Sequence, residues 1–133
     1  MKTKLILSAL VGTLLLLISG CSKAGTGGNG TVICSVINTD NNNVPVYGAT
    51  VYVKYGQSTP PSANNTGYDD HKVAAANSNT VTFTGLKQGT YYFYAEANVG
   101  TTANPAPVSG GNPFSLTHAH RNGTSNATID VMY

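Results

Sequence analysis

Three observations on this chain predict an all-β fold of sandwich type. Short runs rich in Val, Thr and Tyr are separated by clusters of Asn, Gly and Pro, the punctuation of many short strands. Within the runs apolar residues recur at every second position, and the chain after residue 30 shows no helical spacing. Only 9% of the 133 residues are charged, against 41% hydrophobic, where about a quarter is usual. The surface must therefore be built from Asn, Thr, Ser and Gly, which suits an exported β protein better than a cytoplasmic enzyme. The length allows one domain with one core.

The chain opens with Met1-Lys2-Thr3-Lys4, an uncharged apolar run of 14 residues from Leu5 to Ile18, and Ser19-Gly20-Cys21. A basic start, a short apolar middle and small residues make a secretory signal peptide. The run is shorter than the roughly 18 to 20 residues of a permanent membrane helix, so residues 1–20 are expected to be removed. Ile18-Ser19-Gly20-Cys21 resembles the bacterial lipobox. That resemblance implies lipid transfer to the Cys21 thiol, cleavage before it and a membrane-anchored N-terminus. The alternative is an ordinary secreted protein with a cysteine near its cleavage site. Ser22 is not the Asp that marks inner-membrane retention in the enterobacterial sorting rule, so the expected location is the outer membrane or cell surface of a bacterium.

Cleavage removes Lys2 and Lys4 but none of the five acids Asp40, Asp69, Asp70, Glu96 and Asp130. Five cations remain (Lys23, Lys54, Lys72, Lys87 and Arg121), so the formal charge of +2 falls to zero. No basic patch is expected, and nucleic acid is not an expected partner. One cysteine, Cys34, is left unmodified. Alternation places it with Val32 and Val36 on one face, where it packs as a small hydrophobe; a catalytic thiol would need exposure and a His partner.

Residues 21–30 are read as the lipidated Cys21 followed by a Gly-rich flexible tether, and residues 31–133 as the sandwich. The strands expected are Thr31–Asn38, Val46–Tyr55, His71–Ala76, Thr80–Thr84, Thr90–Ala97, Phe114–His120 and Ala127–Tyr133. Between the first two, Thr39-Asp40-Asn41-Asn42-Asn43 reads as a turn, since Asn and Asp bond to nearby backbone and tolerate left-handed dihedrals. It lacks the alternating acids of a calcium loop.

Period two assigns the core to Ala49, Val51, Val53 and Tyr55, to Tyr91, Phe93 and Ala95, and to Val81, Phe83 and Leu86. The opposite faces carry Tyr52 and Lys54 on one strand and Tyr92, Tyr94 and Glu96 on another. Outward tyrosines are the residues that binding surfaces use, so Tyr52, Tyr92 and Tyr94 form a candidate binding surface. The alternative is that they lie under a loop or a second layer.

Val44-Pro45-Val46-Tyr47-Gly48-Ala49, the alternating strand after it, and then Val81-Thr82-Phe83-Thr84-Gly85-Leu86 with Gly89-Thr90-Tyr91 make a recognisable spacing. The stretch from Val32 to Ala97 resembles the carboxypeptidase regulatory-like domains. The resemblance implies a transthyretin-like (prealbumin-like) antiparallel sandwich of about seven strands. Such modules are generally non-catalytic and serve adhesion, spacing or ligand contact.

Three relatives of that fold perform chemistry, and each is tested against the residues. An intramolecular Lys–Asn isopeptide bond lacks its Lys on the first strand, and Glu96 is out of phase with the inward face. The transthyretin-like hydrolases of purine catabolism end in Tyr-Arg-Gly-Ser, whereas this chain ends Asp130-Val131-Met132-Tyr133. Intradiol dioxygenases hold Fe(III) with two tyrosines and a His-x-His pair, and this chain has His118-Ala119-His120. Alternation in a strand would put both imidazoles on one face, with His71 as a third ligand; the other reading is a solvated edge. The Arg-Pro and Gly-Pro-Tyr elements of that family are missing.

The expectation is thus a lipid-anchored envelope lipoprotein without a catalytic site, a cofactor or a metal. Its function would be structural, adhesive or partner-binding, by contact with a surface protein, a glycan or further copies of itself. A carbohydrate-binding module using the tyrosines is the first alternative, and an intradiol-dioxygenase-like iron enzyme the second.

Overall fold

The computed structural model describes residues 23–61, 66–101 and 103–133. The expected signal peptide over residues 1–20 and the expected lipidation site Cys21 lie outside the described residues.

Eight strands follow in order: β1 Thr26–Asn38, β2 Val44–Pro45, β3 Thr50–Tyr55, β4 Asp70–Val73, β5 Thr80–Leu86, β6 Gly89–Asn98, β7 Pro107–Leu116 and β8 Thr124–Val131. They form two sheets, so the chain is an all-β sandwich. In the first sheet β1 is central. The antiparallel β5 and the two-residue β2 share one side of it, and β8 lies parallel on the other, from Thr31 opposite Thr124 to Asn38 opposite Val131. The second sheet is antiparallel in the order β4-β3-β6-β7. The seven expected strands have counterparts and β2 is an eighth, but the sandwich is not antiparallel throughout as expected, because β8 runs parallel to β1.

Alternation puts one face of each sheet in the core. Val32, Cys34 and Val36 of β1 meet Val51 and Val53 of β3 and Tyr91, Phe93 and Ala95 of β6, all fully buried. Phe83 and Phe93 touch between the sheets with ring centroids 5.5 Å apart. Burying side chains of this size contributes about 1.5–3 kcal/mol each. Burial pushes the Cys34 thiol up to about 12, so it stays protonated and inert.

The Asn-rich segment turns as its composition predicts. Thr39–Asn41 forms one 3-10 turn, the Asn38 side chain accepts the Asp40 N–H at 3.0 Å, and Asn42 and Asn43 take left-handed dihedrals. The short edge strand β4 is tied to the first sheet by the Lys72 ammonium, which donates to the Thr82 carbonyl at 2.6 Å. A charged side chain placed over an open edge discourages further strand pairing.

Three elements differ from the sequence reading by four residues or more. Residues 23–30, expected as a flexible tether, join the sandwich: β1 begins at Thr26, Ala24 packs against the core, and the Gly25 carbonyl accepts the Lys87 N–H at 2.9 Å. Glycine is required there for close approach, since a Cβ on Gly28 or Gly30 would overlap the Leu86 carbonyl or the Leu116 side chain. Residues 46–49 are a turn rather than the start of a strand, and β3 begins at Thr50. The strand expected over Phe114–His120 is instead Pro107–Leu116, and it stops before the histidines.

Candidate binding face

The core-facing alternation of β3 and β6 turns their other residues outward. Tyr52 stands directly opposite Tyr94 in the β3–β6 ladder and opposite His71 in the β3–β4 ladder. The three rings therefore cross the outer face in one row, with Tyr52 stacked on His71 at 5.6 Å and tilted against Tyr94 at 6.1 Å. Tyr68 reaches the same place from the β3–β4 connection and lies 5.5 Å from Tyr52 and 5.7 Å from Tyr94, stacked on the latter. All three tyrosines are half-buried. Each aromatic pair of this kind adds about 0.5–1.5 kcal/mol beyond its buried area.

Tyr92, the third expected tyrosine, shares the outer face and stands opposite Lys54. Its ring lies over Gly111 of β7, within 2.9 Å of where a Cβ would be. A side chain at that position would push the ring off the sheet. The structure thus brings Tyr52 and Tyr94 together, keeps Tyr92 beside them, and adds Tyr68. The signal for Tyr68 was absent from strand periodicity because it lies in a turn between Gly67 and Asp69.

Glu96 sets the electrostatics of the row. Its Oε1 accepts the Tyr52 hydroxyl at 2.7 Å. That hydrogen bond, then burial and the carboxylate charge, push the Tyr52 phenol up to about 12. Burial, followed by the neighbouring tyrosines, pushes Tyr68 up to about 12, and Tyr92 also rises through burial. Tyr52, Tyr68 and Tyr92 therefore stay neutral phenols throughout the physiological range. Beside it an open depression of about 510 Å³ is lined by Thr50, Tyr94, Glu96, Asn98 and Ser109. An aromatic ring next to hydroxyl, amide and carboxylate groups is suited to a ligand with both apolar faces and hydroxyls.

The histidines are placed differently from the expectation. His118–His120 form a 3-10 turn between β7 and β8, where strand alternation does not apply. His118 Nδ1 accepts the Arg121 guanidinium at 2.7 Å, and His120 Nδ1 lies 3.0 Å from the Thr117 hydroxyl. One ring nitrogen of each is thus engaged by a local partner. His71 belongs to the tyrosine row on β4. Among the described residues no group of three or more His, Cys, Asp or Glu is gathered as metal ligands.

Fold and face together define an all-β sandwich with an aromatic outer sheet. No protein-family model matches the chain, and no curated protein or solved structure does either.

Proposed function

We propose that the protein is an exported, lipid-anchored module of the bacterial cell envelope that works by contact rather than by catalysis. The anchoring rests on Ile18-Ser19-Gly20-Cys21 after a signal-peptide-like run, and places the protein at the outer membrane or cell surface. The fold is read as prealbumin-like, of the carboxypeptidase regulatory-like kind, on the Gly85-Leu86 and Gly89-Thr90-Tyr91 spacing at the β5–β6 connection. The observation that carries the contact reading is the Tyr52–Tyr68–Tyr94 cluster, half-open on the outer face of the second sheet. Aromatic anchors with low conformational entropy are what contact surfaces use. The partner is a surface protein or a further copy of the chain.

A second reading, a carbohydrate-binding module, is favoured by the depression beside Tyr94, where Glu96, Asn98, Thr50 and Ser109 could receive sugar hydroxyls. Light scattering over a concentration series and a glycan array distinguish these readings. Growth into larger species supports self-association. Glycan binding weakened at least tenfold by Tyr94→Ala, with an unchanged melting curve, supports the carbohydrate module. A monomer that binds neither glycans nor envelope proteins through this face would sink the proposal.

A further inference from the structure

The net charge after Cys21 is zero, yet the charges are not evenly placed. Lys23, Lys54, Lys87 and Arg121, four of the five cations, lie at the pole where β1 and β8 begin and β3, β5 and β7 end. Three of the five acids lie toward the other pole. Asp40 follows β1, Glu96 stands opposite Thr50 at the start of β3, and Asp130 stands opposite Ile37. The two acids near the basic pole are Asp69, taken up by Lys54 at 3.1 Å, and Asp70, which accepts the His71 N–H at 2.8 Å.

On the β1–β5–β8 side this leaves an open groove of about 470 Å³ with no carboxylate in its lining. Gly27, Gly28 and Asn29 form one wall, and Lys87, His118 and Arg121 project around it. Lys23, Lys87, His118 and Arg121 are all exposed.

The first described residues are fixed against this same pole. The Gly25 N–H donates to the Tyr91 hydroxyl at 3.2 Å, the Gly25 carbonyl accepts the Lys87 N–H at 2.9 Å, and Ala24 packs on the core. Between Cys21 and Lys23 there is one residue, Ser22. Two residue steps span at most about 7 Å, which is shorter than the Debye length of about 8–10 Å at physiological ionic strength. An acyl chain on Cys21 would therefore hold Lys23, at the edge of the basic pole, within about one screening length of the lipid phosphates.

We infer that the pole bearing Lys23, Lys87 and Arg121 is a membrane-facing surface that binds the anionic headgroups of the bilayer. This rests on the lipid-anchor reading for its geometry but not for its chemistry. The bilayer, rather than a soluble phosphate compound, is the partner because the surface is open and bears Lys23, two residues after Cys21 in the sequence. The tyrosine row, on the outer face of the second sheet, stays free for its own contact.

The test separates the two. Mass spectrometry of the N-terminal peptide of the protein extracted from its own membrane reads whether Cys21 carries acyl chains; a bare or absent Cys21 sinks the anchor alone. The unlipidated chain from Ser22, which contains both sheets and the whole described core, is then floated with vesicles at low salt. One set is phosphatidylcholine and the other phosphatidylcholine with one third phosphatidylglycerol.

At about fivefold per basic residue near an anionic surface, the anionic vesicles should bind on the order of a hundredfold more strongly. Lys23→Gln, Lys87→Gln and Arg121→Gln should each lower that binding about fivefold, and 0.5 M salt should abolish it. Asp40→Asn raises the net charge by the same unit at the far pole and should change it less than about twofold. Equal binding to both vesicle types overturns the inference, as does equal sensitivity to charge at either pole. Retention on a soluble polyphosphate without flotation overturns the bilayer as partner.

Discussion

Tyr52 and Glu96 lie on neighbouring strands two residues out of register, and the Tyr52 hydroxyl closes the diagonal with a 2.7 Å hydrogen bond to the carboxylate. The bond fixes the ring at the centre of the aromatic row, between His71 and Tyr94. Glu96→Ala removes both the charge and the acceptor. The Tyr52 phenol should then titrate closer to its ordinary value of 10.0 than to about 12, read as the tyrosinate absorbance band in an alkaline titration. An unchanged titration would show that burial, rather than Glu96, sets the value.

Alkaline pH should weaken the fold in a defined window. Cys34, Tyr52 and Tyr68 rise from 9.0, 10.0 and 10.0 to about 12 in the folded protein. The folded state keeps protons that the unfolded chain has already released, so stability falls with rising pH. The contribution of these groups is complete below about pH 9 and is lost from there to about pH 12. A melting series in small pH steps measures it, and a midpoint that holds flat to pH 12 would refute it.

Gly28→Ala and Gly30→Ala should each destabilise the protein by about 1–3 kcal/mol through overpacking. Their Cβ atoms would overlap the Leu86 carbonyl and the Leu116 side chain. Hydrogen exchange should quicken first at residues 26–30. Chemical denaturation gives the magnitude, and a neutral result would mean that residues 26–30 are not held as described.

Tyr91→Phe tests the attachment of residues 23–25. The buried hydroxyl accepts from the Gly25 N–H and donates to the Lys87 carbonyl. Its removal strands both groups at about 1–3 kcal/mol and should release residues 23–25 to proteolysis. Protection as in the parent protein would show that Ala24 packing suffices.

The inward faces were legible in the sequence because they follow strict alternation. Val32, Cys34 and Val36, then Ala49, Val51 and Val53, then Tyr91, Phe93 and Ala95 are all buried as period two requires. What escaped were segments whose glycines and prolines read as breaks. In β7, Gly110 lies against the Asp130 carbonyl, Gly111 lies under the Tyr92 ring, and Pro113 pairs across from Tyr92. Those residues serve close contacts made by distant parts of the chain, which a local reading cannot weigh. The start of β1 was missed for the same reason. On the candidate face, Tyr52, Tyr92 and Tyr94 were legible as outward residues, whereas Tyr68 and the Glu96 hydrogen bond depend on tertiary geometry.

The parallel ladder between β1 and β8 has a mechanical consequence. Its eight register pairs bind the first strand to the last with both running the same way, so the two ends of the domain emerge at opposite poles. Tension applied between residue 23 and residue 133 would load that ladder lengthwise. The backbone bonds then resist together in shear instead of opening one after another like a zip. A protein tethered at its first strand and gripped at its far end would yield at a force set by the whole ladder.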